Sequence, residues 1–215
     1  MRVRPTFDEE SQLIRQGYRF IAGIDEVGRG PLAGPLIAAA VVLPFDISEP
    51  WLPLVRDSKQ LTADMRAHLY PLIGGAAVSI GIGSAPHKII DAMGISRATA
   101  FAMSAAVSHL YPRPDFLLID YVKLGEIDIP QKSIVRGDSL SMSIACASII
   151  AKVVRDRLMV EMDRVHPGYG FASHKGYATR EHLECLRRLG ACPIHRKRFS
   201  PVRECPVHQR NLELF

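Results

Sequence analysis

Four carboxylates stand where acids most often do chemistry. Asp25 and Glu26 follow the apolar run 20–24, Asp120 follows the apolar run 116–119, and Asp138 follows a glycine ahead of a long apolar stretch. Catalytic groups gather at the ends of elements held by a rigid scaffold. If the strands that end at residues 25 and 120 are neighbours, Asp25 and Asp120 converge at one end of a sheet. Converging carboxylates repel one another, so the group needs a cation or shared protons. Hard oxygen donors select Mg²⁺ or Mn²⁺ over zinc. Two such ions clamp the attacking and leaving oxygens of a phosphodiester. Each acid taken singly has a plainer reading: an Asp after a strand forms a turn, and Asp138 caps a helix. The apolar runs before Asp25 and Asp120, and the glycine-rich segment after Glu26, favour the chemical reading.

That segment is Gly28-Arg29-Gly30-Pro31-Leu32-Ala33-Gly34-Pro35. It lacks the Gly-Lys-Ser/Thr ending of a P-loop, and acids and prolines replace the dinucleotide fingerprint. Glycine lets backbone approach a ligand closely. An arginine between two glycines reaches a phosphate or a sugar. Lys59, in Asp57-Ser58-Lys59, is a phosphate ligand or a solvated lysine, and Asp57 is a turn residue. His174 and Lys175 flank a substrate backbone or belong to an exposed polar loop. Lys152 faces the site, while Arg155 and Arg157 read as a solvated helix face. Cys192, His195, Cys205 and His208 form a doubled Cys-x-x-His pattern, either a tetrahedral zinc site or partly buried tail residues. Arg196, Lys197, Arg198, Arg203 and Arg210 make the tail basic, for phosphate contacts or as solvated surface.

The elements that must position these groups follow from patterning. Short apolar runs predict strands at 20–24, 36–43, 78–83, 116–119 and 134–135. Thr62 caps a helix to about residue 73, Ser96 caps one to about residue 110, and a long helix spans 139–165. A last helix spans 180–189, with Gly190 as its stop. The order predicts an α/β or α+β sheet with a helical C-terminal part. Residues 1–165 then form the catalytic domain, and 166–215 a helical, basic segment packed on it. The chain of 215 residues, 47% hydrophobic, buries a sizeable core unaided. No apolar run reaches the roughly 18–20 residues of a membrane span, and residues 1–10 do not read as a signal peptide. A net charge of +5 suits a polyanionic partner. Of the four cysteines, Cys146 reads as core, and nothing requires disulfides, which fits a reducing, cytoplasmic setting.

The string Gly23-Ile24-Asp25-Glu26-Val27-Gly28-Arg29-Gly30-Pro31-Leu32-Ala33-Gly34-Pro35 resembles the signature of ribonuclease HII, the type 2 ribonuclease H. The resemblance continues through Asp57-Ser58-Lys59-Gln60-Leu61, Leu118-Ile119-Asp120, Gly137-Asp138, residues 143–153, His166-Pro167-Gly168-Tyr169-Gly170-Phe171, His174-Lys175-Gly176-Tyr177 and Cys192-Pro193-Ile194-His195-Arg196. It covers nearly the whole chain in order. It implies an RNase H-like mixed α/β sheet flanked by helices. It also implies hydrolysis of the RNA strand of RNA/DNA hybrids and incision 5′ of ribonucleotides embedded in DNA, as in ribonucleotide excision repair, leaving 5′-phosphates. It implies Asp25, Glu26, Asp120 and Asp138 as catalytic metal ligands for Mn²⁺ or Mg²⁺. It assigns Gly28, Arg29 and Gly30 to the ribose 2′-hydroxyl, Tyr169 to stacking on the next sugar, and Lys59 to a phosphate. The alternative is a non-catalytic duplex-binding module on the same fold, which the intact acid set opposes. Tyr121 stands where the family usually has glycine, and Cys146 where it usually has alanine. The Leu-Glu-Leu-Phe end at 212–215 is either a docking tail for a sliding clamp or a frayed terminus.

Overall fold

The structure, a computed structural model, describes residues 4–205. In chain order, α1 (Asp8–Arg15) precedes β1 (Ile21–Val27), β2 (Leu36–Val42), α2 (Ala63–Ala76), β3 (Ser79–Ala85), α3 (His87–Met93) and α4 (Ile95–Ser108). Then come β4 (Phe116–Asp120), β5 (Gln131–Ile134), α5 (Met142–Val165), α6 (Phe171–His174) and α7 (Arg180–Leu189). The strands form one mixed sheet in the order β3-β2-β1-β4-β5. β1 and β2 pair antiparallel from Ala22 with Val42 to Val27 with Ile37, as do β2 and β3. β4 joins the other side of β1 in parallel, and β5 extends it in parallel. β2, an interior strand of the sheet, is buried along its whole length. Its unbroken run of Leu, Ile, Ala and Val is what a strand covered on both faces requires.

Alternate residues serve the two faces. Ala22, Ile24, Ala38, Ala40, Leu117 and Ile119 pack with α4. Ile37, Ala39 and Val41 pack with α5 and α2. Small residues let the helices come very close. A Cβ built on Gly23 would lie 2.2 Å from the backbone carbon of Ser143 in α5. On the other face, Cβ atoms on Gly81 and Gly83 would each lie 1.9 Å from an α4 carbonyl oxygen. Gly23 and Asp25 are two residues apart on one strand, so the same approach that needs Gly23 brings α5 over Asp25.

Several boundaries differ from the patterning. Thr62 caps α2 as expected, its hydroxyl accepting from the Met65 amide at 3.2 Å. Ser96 does not cap α4; Gly94 does, at φ 81°, a left-handed corner that lets α3 turn into α4. The long helix starts at Met142 with Ser141 as its cap, and residues 137–139 form a separate 3₁₀ turn, so Asp138 is not its cap. The fifth strand is Gln131–Ile134, not 134–135. The last helix and its Gly190 stop stand as expected. α1 was not legible as a helix, because its stabilisation is tertiary. Glu10 turns inward and accepts from Ser141 Oγ (2.7 Å), Ser143 N (2.9 Å) and Ser143 Oγ (2.6 Å) at the N-terminus of α5. A carboxylate there satisfies free amides and the helix dipole together.

The packing makes Gly23→Ala a severe change, since the obstacle is backbone rather than a flexible side chain. Its cost is expected at or above the upper end of the ~1–3 kcal/mol typical of overpacking. Urea unfolding checks this; a midpoint equal to that of the unsubstituted chain would show that α5 does not lie this close to β1.

Candidate active site

Parallel pairing of β1 and β4 matches Ile24 with Ile119, and so sets Asp25 beside Asp120 at the C-terminal ends of both strands. The condition stated for the strands ending at residues 25 and 120 is met. Asp120 Oδ1 accepts from the Gly137 amide at 2.7 Å, which brings the 137–139 turn and Asp138 to the same end. Asp25 Oδ1 accepts from the Glu26 amide at 2.7 Å. Ser148 of α5 hydrogen-bonds Asp25, and its hydroxyl lies 2.8 Å from that of Ser58. Glu26 meets Arg29 Nη1 at 3.4 Å.

All four carboxyl groups are held above the ordinary carboxylate range. Burial is the largest cause at each. Repulsion adds to it: Glu26 and Asp120 act on Asp25, Asp120 on Glu26, and Asp57 and Asp120 on Asp138, which rises to about 6. Burial also works against the Lys59 ammonium, yet the negative charges of Asp25, Asp57, Asp138 and Asp120 hold its pKa above normal. Lys59 thus adds a second cation to the cluster, beside Arg29, from the loop ahead of α2. Asp57, read from sequence as a turn residue, does cap its 3₁₀ turn by accepting from Lys59 N at 2.9 Å. It is also a fifth acid beside Asp138. Ser58, Ser148 and Asp57 lie within the motif strings but carried no sign of a role beside the acids; only the fold brings them to the carboxylates.

The donor set fits a hard divalent cation. It offers carboxylates raised by burial and by their mutual repulsion, and Glu26 Oε2 is buried without a hydrogen-bond partner. Among the described residues, no three His, Cys, Asp or Glu side chains yet close around one point at ligand distance. The fit therefore lies in the chemistry of the donors rather than in a finished cage.

The glycine-rich turn, residues 28–35, adjoins Glu26 directly. Tyr177 stands beside it: a Cβ on Gly30 would lie 4.0 Å from Tyr177 Cε1, and the tyrosine is 39% exposed. Tyr169, assigned to a sugar by resemblance, is elsewhere. It is 5% exposed, its hydroxyl donates to Gly190 O at 2.9 Å, and its ring stacks on Phe171. No face of it is open to a ligand. The signal was present in the sequence, since Tyr169 shares an apolar patch with Phe171 while Tyr177 follows Gly176 in a polar loop. His174 is also buried; its Nε2–H donates to Tyr169 O at 2.7 Å, and its Nδ1 accepts from Gly176 N at 3.1 Å. It braces the loop rather than flanking a substrate. Lys175 is half-buried in the left-handed region at φ 52°, its ammonium on the Ala172 carbonyl.

Arg155, read as a solvated helix face, and Arg196, read as a phosphate contact or solvated surface, are both interior. Arg155 and Arg196 are both 0% exposed. Lys152 pairs with Asp156 at 2.8 Å. The zinc reading does not hold at its first pair. His195 Nδ1 accepts from the Cys192 amide at 2.9 Å, and its Nε2 lies 3.0 Å from His182 Nε2, so both ring nitrogens are engaged. Burial and the neighbouring histidines push His195 down to about 3, a neutral ring that completes this network. Cys205 packs against Leu32, Leu186 and Val202, while His208, Arg210 and the 212–215 end lie outside the described residues. Tyr121, 70% exposed, holds φ 59°, a conformation that favours glycine and costs a side-chain-bearing residue roughly 1–2 kcal/mol.

Comparison with known proteins agrees with this geometry. The family model described as Ribonuclease HII matches residues 22–202. A ribonuclease HII of Dehalococcoides mccartyi is 53% identical over 201 residues, covering 94% of this chain and 95% of the relative. One of Geobacter sulfurreducens is 54% identical over 198 residues, covering 92% and 90%. Among solved structures, the ribonuclease H2 of Pyrococcus horikoshii shares the fold with a TM-score of 0.71 at 24% identity, covering 86% of this chain and 95% of that one. A PCNA:RNase HII complex from Archaeoglobus fulgidus gives a TM-score of 0.67 at 25% identity, covering 83% and 92%.

The carboxylate repulsion has a measurable sign. The folded Asp138 value, about 6, lies above its ordinary 3.8, so the folded chain binds more protons than the unfolded one between those pH values. This group's contribution to stability therefore falls as pH rises through that window. In chelator, Asp138→Asn is expected to melt above the unsubstituted protein at pH 7, with the gap closing towards pH 4. Thermal unfolding at several pH values checks it; a gap independent of pH removes Asp138 from the repelling group.

Proposed function

Since the chain belongs to the ribonuclease HII family, we propose that it is a divalent-metal endoribonuclease that cuts the RNA strand of RNA/DNA hybrids and incises 5′ of ribonucleotides embedded in duplex DNA. The observation that carries this is the β1–β4 register, which sets Asp25 beside Asp120 next to a glycine-rich turn. Asp25, Glu26, Asp120 and Asp138 would hold the metal, Mg²⁺ or Mn²⁺. When bound, two such ions supply an activated water and charge stabilisation at the leaving 3′-oxygen.

The chain's own residues do the rest. Asp25 and Asp120 are each fixed at Oδ1 by an amide, of Glu26 and of Gly137, which leaves the other carboxylate oxygen of each for a ligand. Lys59 offers its ammonium to a phosphate next to the acids. Gly28, Arg29 and Gly30 meet the ribose, whose 2′-hydroxyl separates RNA from DNA. Tyr177 offers an aromatic face to the adjoining sugar, the role that resemblance assigned to Tyr169. Residues 166–205 serve as a bracing segment on the catalytic part rather than a separate unit. No helix among the described residues is long and apolar enough to cross a membrane, and all four cysteines are free thiols, which supports a cytoplasmic setting. A sliding clamp is a further partner, supported by the archaeal relative solved with PCNA.

Incubation with a duplex holding one ribonucleotide is expected to give metal-dependent incision with a 5′-phosphate product, abolished by EDTA. Asp120→Asn should lower kcat by about 100-fold or more, since ~3 kcal/mol of charge stabilisation is at stake. A duplex that is bound but never cut would make the protein a binding module instead. The two tyrosines separate in kinetics. Tyr177→Ala should raise KM about tenfold, in line with ~1–3 kcal/mol for aromatic stacking, and Tyr177→Phe should not. Tyr169→Ala should lower the melting temperature and leave the KM of the folded protein alone; a KM raised by Tyr169→Ala and not by Tyr177→Ala would return the sugar contact to Tyr169.

A further inference from the structure

Residues 28–35 have no regular structure, so their backbone carbonyls need partners from elsewhere. Two buried arginines supply them. Arg196 donates from Nη2 to Gly28 O (2.6 Å), from Nη1 to Arg29 O (2.9 Å), and from Nε and Nη2 to Gly34 O (3.0 and 2.9 Å). Its own amide donates to Leu32 O at 2.8 Å. Arg155 of α5 donates from Nε to Pro35 O (2.9 Å) and from Nη2 to Ala33 O (3.3 Å). Neither has a carboxylate within ion-pair distance among the described residues. Two buried guanidinium groups without counter-ions are costly unless their hydrogen bonds are complete. Here carbonyls of a single loop do that work in full for Arg196, while Arg155 keeps its Nη1 buried without a partner. A Cβ on Gly28 would lie 2.3 Å from Arg155 Nε, so the loop is moulded on these side chains.

A trans peptide points its C=O and the following N–H in opposite directions. The Gly28–Arg29 and Arg29–Gly30 bonds are trans, and both carbonyls point inward at Arg196. The Arg29 and Gly30 amides must therefore point outward. Among the described residues neither amide finds an acceptor, and Gly30 is exposed. We infer that Arg196, with Arg155 behind it, is the positioning residue for sugar recognition: it fixes the carbonyls inward and so aims the Arg29 and Gly30 N–H groups at the ribose 2′-hydroxyl. This rests on the proposed function. Arg196 touches neither the carboxylates nor the ligand.

The test is fluorescence anisotropy in EDTA, comparing a duplex with one ribonucleotide and the same duplex in all-DNA form. The unsubstituted protein is expected to prefer the ribonucleotide duplex. Arg196→Lys keeps the charge but loses the planar fork, and should cut that preference at least fivefold, with all-DNA affinity changed less than twofold. Arg29→Ala should weaken both duplexes alike and keep the preference. A folded Arg196→Lys with the original preference overturns the inference while leaving the functional reading intact. No preference in the unsubstituted protein, together with no cleavage, overturns the reading and the inference with it. NMR-detected amide exchange on the unsubstituted protein gives a readout free of folding defects. The Arg29 and Gly30 amides should be protected by the ribonucleotide duplex only; equal protection by both duplexes overturns the inference.

Discussion

Two carboxylates side by side at the end of a sheet repel each other, and the structure around Asp25 and Asp120 is organised to hold them there regardless. Their adjacency is a matter of register: pairing Ile24 with Ile119 leaves no other place for the next residue on each strand. Register in turn depends on the buried rows of β1 and β4, because a slip of one residue would exchange faces along the whole strand. The hydrophobic interior therefore holds a charged arrangement that the charges alone would disperse. Lys59 offsets part of the repulsion, while burial and the remaining repulsion keep the carboxyl groups raised.

The second organising feature is close approach. α5 lies on β1 where only a glycine fits, and from that position it delivers Ser148 to Asp25 and Arg155 to the carbonyls of residues 33 and 35. The C-terminal segment closes the other side. Leu32 N donates to Gly176 O, Gly34 N to Ile194 O, and Arg196 N to Leu32 O. Behind these lies a core of three histidines, His174, His182 and His195, packed around Phe171. Each accepts or donates at both ring nitrogens, so the loops at 169–177 and 192–196 become firm supports for the turn. The acids and the glycine-rich turn are thus held by one continuous scaffold, joined at residues 25–30.

Much was legible from residue order alone. The first four strands, the α2 and α7 helices with Thr62 and Gly190 at their ends, and the acids at strand ends are local or near-local properties. Apolar runs, N-cap hydroxyls and stop glycines act through neighbours in sequence. The motif string also carried the family and, with it, the chemistry. Local pattern failed where a residue's partner is distant. α1 is held by Glu10 reaching Ser141 and Ser143. Arg155 and Arg196 have the composition of a solvated surface and instead fill the interior.

Asp25 and Glu26 were conspicuous as an acid pair before a glycine-rich turn, and their side-chain chemistry needed no coordinates. Tertiary structure alone decided that Asp120 is their neighbour, that Asp57 and Lys59 join them, that Tyr177 rather than Tyr169 faces the turn, and which way the peptides of residues 28–30 point. The reason is physical. A side chain's donors, charge and size are local, but burial, register and the direction of a peptide plane are set by what packs against it.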